Sequence, residues 1–209
     1  MGNKLVANLE KLAEDSKSTL IEYLSERAER VRFFSYGSNM NKKKFKEDME
    51  KAAKELELKL SEKDKCKLEL DKFSERRVLI NFRRELSNGS VQHGRAFSIC
   101  CSFGGKVQGI CHDVHVSVLP VFLKKEGLLS SKGKPSYKLI KVCVSSEDQV
   151  LTLLGLKPKP IGNLKQEKIQ AAIKYVNDSI EGAKDFNVAH SDMTEVRELL
   201  ISMQTRMKS

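Results

Sequence analysis

The sequence predicts an α+β fold: a compact antiparallel β core wrapped by helices, with helical additions at both ends. Three observations carry this. Apolar residues recur at three- to four-residue multiples at the start and end of the 209-residue chain. Between them lie runs of alternating apolar and polar character, rich in β-branched and aromatic residues. Asn-Gly and Gly-Gly pairs punctuate those runs, and such pairs tolerate the positive φ that tight hairpins need.

Residues 1–30 read as an N-terminal helical extension. Leu5, Leu9, Leu12, Leu20, Leu24 and Ala28 share a face, and Ser16-Lys17-Ser18 suggests a break into two helices. The period then changes. Val31, Phe33 and Ser35 alternate with Arg32 and Phe34 in a short strand that runs into Tyr36-Gly37-Ser38-Asn39. A charged helical insert is expected over 42–77, with Phe45, Met49, Ala52, Leu56 and Leu60 on its inner face. From Val78 strands follow: Val78–Phe82, a turn at Ser87–Ser90, Gly94–Cys101, a turn at Gly104-Gly105, then Lys106–Val114. Val118–Lys125 reads as a short helix and Tyr137–Val144 as another strand. Capping-box spacing at Asn163 with Gln166, and at Asp192 with Glu195, places two helix starts. Leu164, Ile169, Ala172, Ile173, Val176 and Ile180 form one apolar face; Val196, Leu199, Leu200 and Met203 form the next. The domain is expected over 31–180, followed by a C-terminal helical extension over 181–209.

Bulk properties narrow the class. No apolar run approaches the ~18–20 residues that span a bilayer, and the amino terminus lacks an apolar signal region, so the cytoplasm is expected. Five cysteines, with Cys100 and Cys101 adjacent, give neither a disulfide framework nor a zinc ribbon; they are expected to act as small hydrophobes in strands. Cys111, His112 and His115 form an incomplete ligand set, because His112 faces away from its neighbours in a strand. They are read as structural. The net charge of +10 would favour anionic partners. Lysine and glutamate interleave, however, as a solvated helix face does, so nucleic-acid binding is the minor reading.

A strand ending in Gly-Ser-Asn before a helix has the makings of an anion cradle. Gly37 permits a sharp turn, Ser38 and Asn39 can cap, and backbone N–H groups at a helix start point outward. The tetrapeptide alone is equally that of an ordinary strand-to-helix turn.

Phe33–Met40 nevertheless resembles the opening motif of the γ-glutamylcyclotransferase (AIG2-like) superfamily, and further matches follow in the family's order. Val78–Phe82 resembles its second strand, Gly94–Phe97 its Gly-x-Ala strand, and Gly105–Ile110 its Val-x-Gly strand. Val118–Gly127 resembles the short helix ending in the catalytic Glu-Gly. Tyr137–Val142 resembles the next strand, which opens with a binding tyrosine. The similarity spans roughly Val31 to Asn177.

The resemblance implies a small mixed β-barrel with flanking helices. It also implies an intramolecular acyl transfer: the α-amine of a γ-glutamyl group attacks its own γ-carbonyl, releasing 5-oxoproline and an amine, amino acid or peptide. Glu126 would be the catalytic acid/base, buried by Val121, Phe122 and Leu123 unless Lys124 and Lys125 point inward. Tyr36, Gly37, Ser38, Asn39 and Tyr137 would bind the small anionic substrate, with no metal or organic cofactor. The alternative is a non-catalytic ligand-binding module on the same fold, using its basic helical surface for a protein or nucleic-acid partner. Glu126 separates the two, since an enzyme needs its carboxylate facing the Gly37-Ser38 loop across a cavity. The family supplies further tyrosines near a Pro-rich turn; Leu156–Asn163 carries none, and Tyr175 lies beyond it.

Overall fold

The computed structural model describes residues 10–26, 29–58, 61, 74–90, 94–129, 135–145, 148–156 and 159–207. Their order is α1 (Glu14–Glu26), β1 (Arg30–Ser35), a 3-10 turn (Ser38–Met40), α2 (Lys42–Glu55), β2 (Ser74–Ser90) and β3 (Gly94–His115). There follow α3 (Leu119–Lys125), β4 (Tyr137–Cys143), β5 (Gln149–Gly155), α4 (Gln166–Asp185) and α5 (Ser191–Arg206).

The five strands form a curled half-barrel in the order β2-β3-β1-β5-β4. It is mixed, not purely antiparallel, because β5 enters beside β1 in parallel, with Phe33 opposite Leu151. Thr152, fully buried, donates its hydroxyl to the Phe34 carbonyl at 2.9 Å and ties that pair. The sequence reading had no strand over Gln149–Gly155. Val150, Leu151, Thr152 and Leu153 are all buried, and a short run without polar alternation does not distinguish a strand from a buried helix.

β2 and β3 make one long hairpin, bent twice. Register shifts fall between Ile80 and Phe82 and between Glu85 and Asn88. At the first, Asn81 adopts φ +66° and accepts the Gly104 N–H at 3.0 Å. Gly104-Gly105 is therefore a bulge within β3, not a hairpin turn, and β2 runs through Ser87–Ser90 where a turn was expected. The bends fold the hairpin tip over β4 and β5. Asn88 donates to Ser136 O at 3.0 Å, Lys159 N–H to Ser87 O at 2.7 Å, and Gly155 N–H to Ser98 Oγ at 2.9 Å.

Helices cover the outside. In α1, Leu12, Leu20 and Tyr23 are buried, while Leu5, Leu9 and Ala28 lie outside the described residues. Ser16 does not break the helix. It is buried within α1, and its hydroxyl accepts the Leu139 N–H of β4 at 3.1 Å. In α2, Phe45, Met49 and Ala52 are buried as expected; Leu60 lies outside the described residues. Of the expected insert, 59–60 and 62–73 lie outside them too, and Ser74–Arg77 already belong to β2.

All six apolar residues expected on the α4 face are buried. In α5 the buried residues are Met193 and Leu200, whereas Leu199 is exposed. Neither capping box forms. α4 begins at Gln166 after Lys165, and Asn163 sits in a separate 3-10 turn. α5 begins at Ser191, which leaves Asp192 inside the first turn, where its charge suits the helix dipole. Among the described cysteines only Cys111 is buried; Cys101 and Cys143 are exposed because alternate strand residues face outward. No described helix is long and apolar enough to cross a membrane.

Candidate active site

The 3-10 turn after β1 and the end of α3 meet across a cavity of about 280 Å³. The turn is closed by Met40 and Asn41 N–H groups on the carbonyls of Gly37 and Ser38. Capping falls to Asn41, whose Oδ1 accepts the Lys44 N–H at 2.9 Å, and not to Ser38 or Asn39. The Asn39 side chain is thereby left to face the cavity.

Glu126 is aimed at it by local chemistry. α3 is seven residues long, and Leu119, Pro120, Val121, Phe122 and Leu123 are all buried. Burying each such apolar side chain contributes about 1.5–3 kcal/mol, which fixes the helix against β1 and α2. Phe122 packs on Phe33 with ring centroids 4.3 Å apart. The helix ends in a Schellman motif: Gly127 N–H binds Lys124 O and Leu128 N–H binds Leu123 O, each at 3.0 Å. Gly127 takes φ +70°, a left-handed conformation that glycine adopts without strain. This reversal sets Glu126 at the C-cap with its side chain turned inward.

The Glu126 side chain is 8% exposed, and its Oε1 accepts from Asn39 Nδ2 at 2.7 Å. The turn and the glutamate are thus in direct contact. Of the two preceding lysines, Lys124 reaches outward to Glu55 at 3.4 Å. Lys125 turns inward, 6% exposed, with Nζ 2.8 Å from Glu126 Oε1 and bonded to Asn39 Oδ1. Its ammonium also lies 5.0 Å from the Phe45 ring centroid, within cation–π range.

Three tyrosines complete the walls. Tyr36 donates to the Leu153 carbonyl. Tyr137 donates to Phe97 O at 3.1 Å. Tyr175, from α4, accepts the Phe97 N–H at 3.1 Å and is hydrogen-bonded to Ser38. Burial is the first cause raising the pKa of each phenol; neighbouring phenols add to it for Tyr36 and Tyr137, and Glu126 adds to it for all three. All three stay protonated, so they orient and donate but do not act as bases. Of the carboxylates lining the cavity, Asp48 is paired with Lys44 at 3.2 Å, and Glu126 lies deeper.

Gly37 owes its place here to space. A Cβ there would stand 2.9 Å from the Tyr175 hydroxyl, so the close approach of α4 favours glycine at this position.

Every residue expected at the site lines the cavity: Tyr36, Gly37, Ser38, Asn39, Glu126 and Tyr137. Lys125 and Tyr175 line it as well without having been chosen. Tyr175 stands among the apolar residues of α4, where a phenol on a buried face is a legible signal. His112, by contrast, packs against Phe33, Phe45 and Phe122. Burial first, and the Lys125 charge second, lower its pKa to about 3, so it is a neutral core residue. No group of three or more His, Cys, Asp or Glu residues suited to a metal occurs among the described residues.

No protein-family profile matches the chain, and no curated protein is similar to it at a significant level. Solved structures are similar. Bacillus subtilis YkqA is 18% identical with a TM-score of 0.58, over 88% of this chain and 59% of its own; this chain thus spans less than two thirds of YkqA. A yeast γ-glutamyl cyclotransferase specific to glutathione is 8% identical with a TM-score of 0.54, over 84% of this chain and 97% of its own. Another structure, of a γ-glutamyl cyclotransferase, is 19% identical with a TM-score of 0.51, over 82% of this chain and 86% of its own. These likenesses bear on the fold, a mixed α+β architecture around a curled five-stranded sheet: this chain has the γ-glutamylcyclotransferase-like fold.

Proposed function

We propose that this protein is a cofactor-free cyclotransferase that converts a γ-glutamyl amine, amino acid or peptide to 5-oxoproline and the free amine. The observation that carries the reading is the buried Glu126 carboxylate, hydrogen-bonded to Asn39 of the Tyr-Gly-Ser-Asn turn in the wall of a cavity of small-molecule size.

In this reading the Gly37–Asn39 turn and the three phenols fold the γ-glutamyl group so that its α-nitrogen faces its own γ-carbonyl. Holding both reacting atoms in one bound conformation supplies much of the rate, because no second molecule has to be captured. Glu126 takes a proton from the α-ammonium, and the freed amine attacks the γ-carbon to form the ring C–N bond. The exocyclic amide C–N bond then breaks as the same carboxyl returns that proton to the departing nitrogen, and the second proton shed by the ring nitrogen as the lactam forms follows it to the freed amine, which leaves as an ammonium. Atoms balance without water, metal or redox partner.

The test is release of 5-oxoproline from a panel of γ-glutamyl amines, amino acids and peptides by wild type and Glu126→Gln. The expected result is turnover of at least one compound by the wild type and a loss of about 10²–10⁴-fold in the variant. Unchanged turnover in Glu126→Gln removes this carboxylate from the mechanism.

A further inference from the structure

Lys125 is a buried charge in the cavity wall to which the proposed reaction gives no task. It is a cation 6% exposed beside a carboxylate 8% exposed. Burying such a pair carries a desolvation cost that the mutual attraction does not reliably exceed, so stability alone is a weak reason to keep it. Its polar contacts are Asn39 Oδ1 and Glu126 Oε1, both side-chain atoms lining the cavity. Neither is a backbone group tied into an element. A ligand entering the cavity meets an adjacent positive and negative charge, already desolvated and held by movable partners.

A γ-glutamyl head group has the mirror arrangement: an α-ammonium and an α-carboxylate on one carbon. We propose that Lys125 is the carboxylate anchor of this site, and that the head group binds by exchanging ion-pair partners. The substrate's α-carboxylate takes the Lys125 ammonium, beside the Asn39 turn. Its α-ammonium takes Glu126, which is where the proton must be collected. The exchange makes two buried pairs from one without leaving an unpaired charge at any stage, and it delivers Glu126 to its acceptor role only when a zwitterionic head is present. An amine-bearing ligand without the carboxylate has to displace Lys125 from Glu126 and leave a buried ammonium unsatisfied. The site therefore selects against it. The Phe45 ring beside Nζ keeps the ammonium in place while its anionic partner changes.

This inference rests on the γ-glutamyl reading, and the experiment separates the two. The probes are L-glutamine and 4-aminobutanamide, which is the same chain without the α-carboxylate. Binding is measured by calorimetry, and 5-oxoproline is assayed in the same samples, for wild type, Lys125→Met, Lys125→Gln and Lys125→Arg. The wild type is expected to prefer L-glutamine by on the order of 10²-fold, as the loss of one partner from a desolvated charge pair implies. Lys125→Met and Lys125→Gln are expected to lose that preference, L-glutamine binding weaker and 4-aminobutanamide as well as or more tightly than to the wild type, because no ammonium is then left unpaired. Lys125→Arg retains most of the preference. Lys125→Gln keeps a polar group for Asn39, so it decides the matter should Lys125→Met fail to fold.

A preference that survives in both neutral variants, or an equal loss for both ligands, overturns the anchor while leaving the catalytic reading standing. Selective binding without 5-oxoproline release from any γ-glutamyl compound upholds the anchor and overturns the catalytic reading. Binding of neither ligand by the wild type overturns both.

Discussion

Two of the buried cations in this half-barrel, Lys125 and Arg84, hold partners that differ in kind. Lys125 bonds to side chains that line a cavity, with its carboxylate partner as buried as itself. The Arg84 side chain is 1% exposed and donates to the Gln108 backbone carbonyl at 2.6 Å. It also bonds Asp192, a half-exposed residue at the start of α5, at 3.2 Å, and stacks 5.8 Å from Phe97. Arg84 therefore pins β2 to β3 and holds α5 to the barrel. A guanidinium fixed by a strand carbonyl is part of the frame, whereas an ammonium held by two side chains is free to change partners. Burial of a charge says little about its role until its partners are named.

Substitutions can break that contrast, and the largest expected effect lies at the cavity. Glu126→Gln should abolish turnover by the factor given above, and because it strips the buried Lys125 ammonium of its charge partner it should also lower unfolding free energy by about 3–5 kcal/mol. Removing both charges, in Glu126→Gln with Lys125→Met, should restore most of that stability and none of the turnover. Arg84→Met removes a charged hydrogen bond to a buried carbonyl and should lower unfolding free energy by about 2–3 kcal/mol in denaturant titration. Turnover per folded molecule should change little. Lost turnover in Arg84→Met, or no recovery of stability in the double variant, would erase the distinction.

Acid should reveal a third buried group, His112. The unfolded chain takes up a proton there below about its ordinary value of 6.5, while the folded chain resists protonation down to about 3. The unfolded state thus binds more protons between those values. Stability is full above that window and falls as pH drops through it, by about 1.4 kcal/mol per unit from this group. Replacing His112 with leucine should flatten that slope in denaturant titrations at several pH values; an unchanged slope would place its origin elsewhere.

Two smaller effects sharpen the boundary of the site. Tyr175→Phe leaves the Phe97 N–H without its acceptor and should cost about 1–2 kcal/mol of stability, with a higher KM if the hydroxyl orients Ser38 toward substrate. A purely structural role predicts the stability loss with KM unchanged. Far from the cavity, Ser16→Ala strips the acceptor from the Leu139 N–H and should cost about 1 kcal/mol with no effect on turnover.

The sequence made the local parts of this molecule legible and hid the long-range ones. Phe45, Met49 and Ala52 on α2, and Ile169, Ala172, Ile173, Val176 and Ile180 on α4, followed from a period of three to four. Tyr36–Asn39 and Glu126 were found through motif order and do converge on one cavity. β5 escaped because burial on both faces removes the polar alternation that marks a strand. Gly104-Gly105 and Asn88-Gly89 were misplaced as turns, since the same residues that make hairpins also make bulges. Lys125 and Tyr175 were hidden for a different reason. Their inward orientation depends on the Schellman reversal at Gly127 and on how α4 docks, and neither is a property of neighbouring residues.

The way Tyr175 reaches the turn also bears on the order in which the molecule assembles. Asn39 meets Glu126 across 87 residues, Phe97 meets Tyr175 across 78, and Tyr36 meets Leu153 across 117. Contacts so distant are closed late in folding, because much of the chain must already be ordered before they form. During synthesis the cradle and the glutamate leave the ribosome well before the helix that walls them in. Competence for binding is therefore expected to be gained in one late step, when α4 seats its hydroxyl against Ser38 and Phe97.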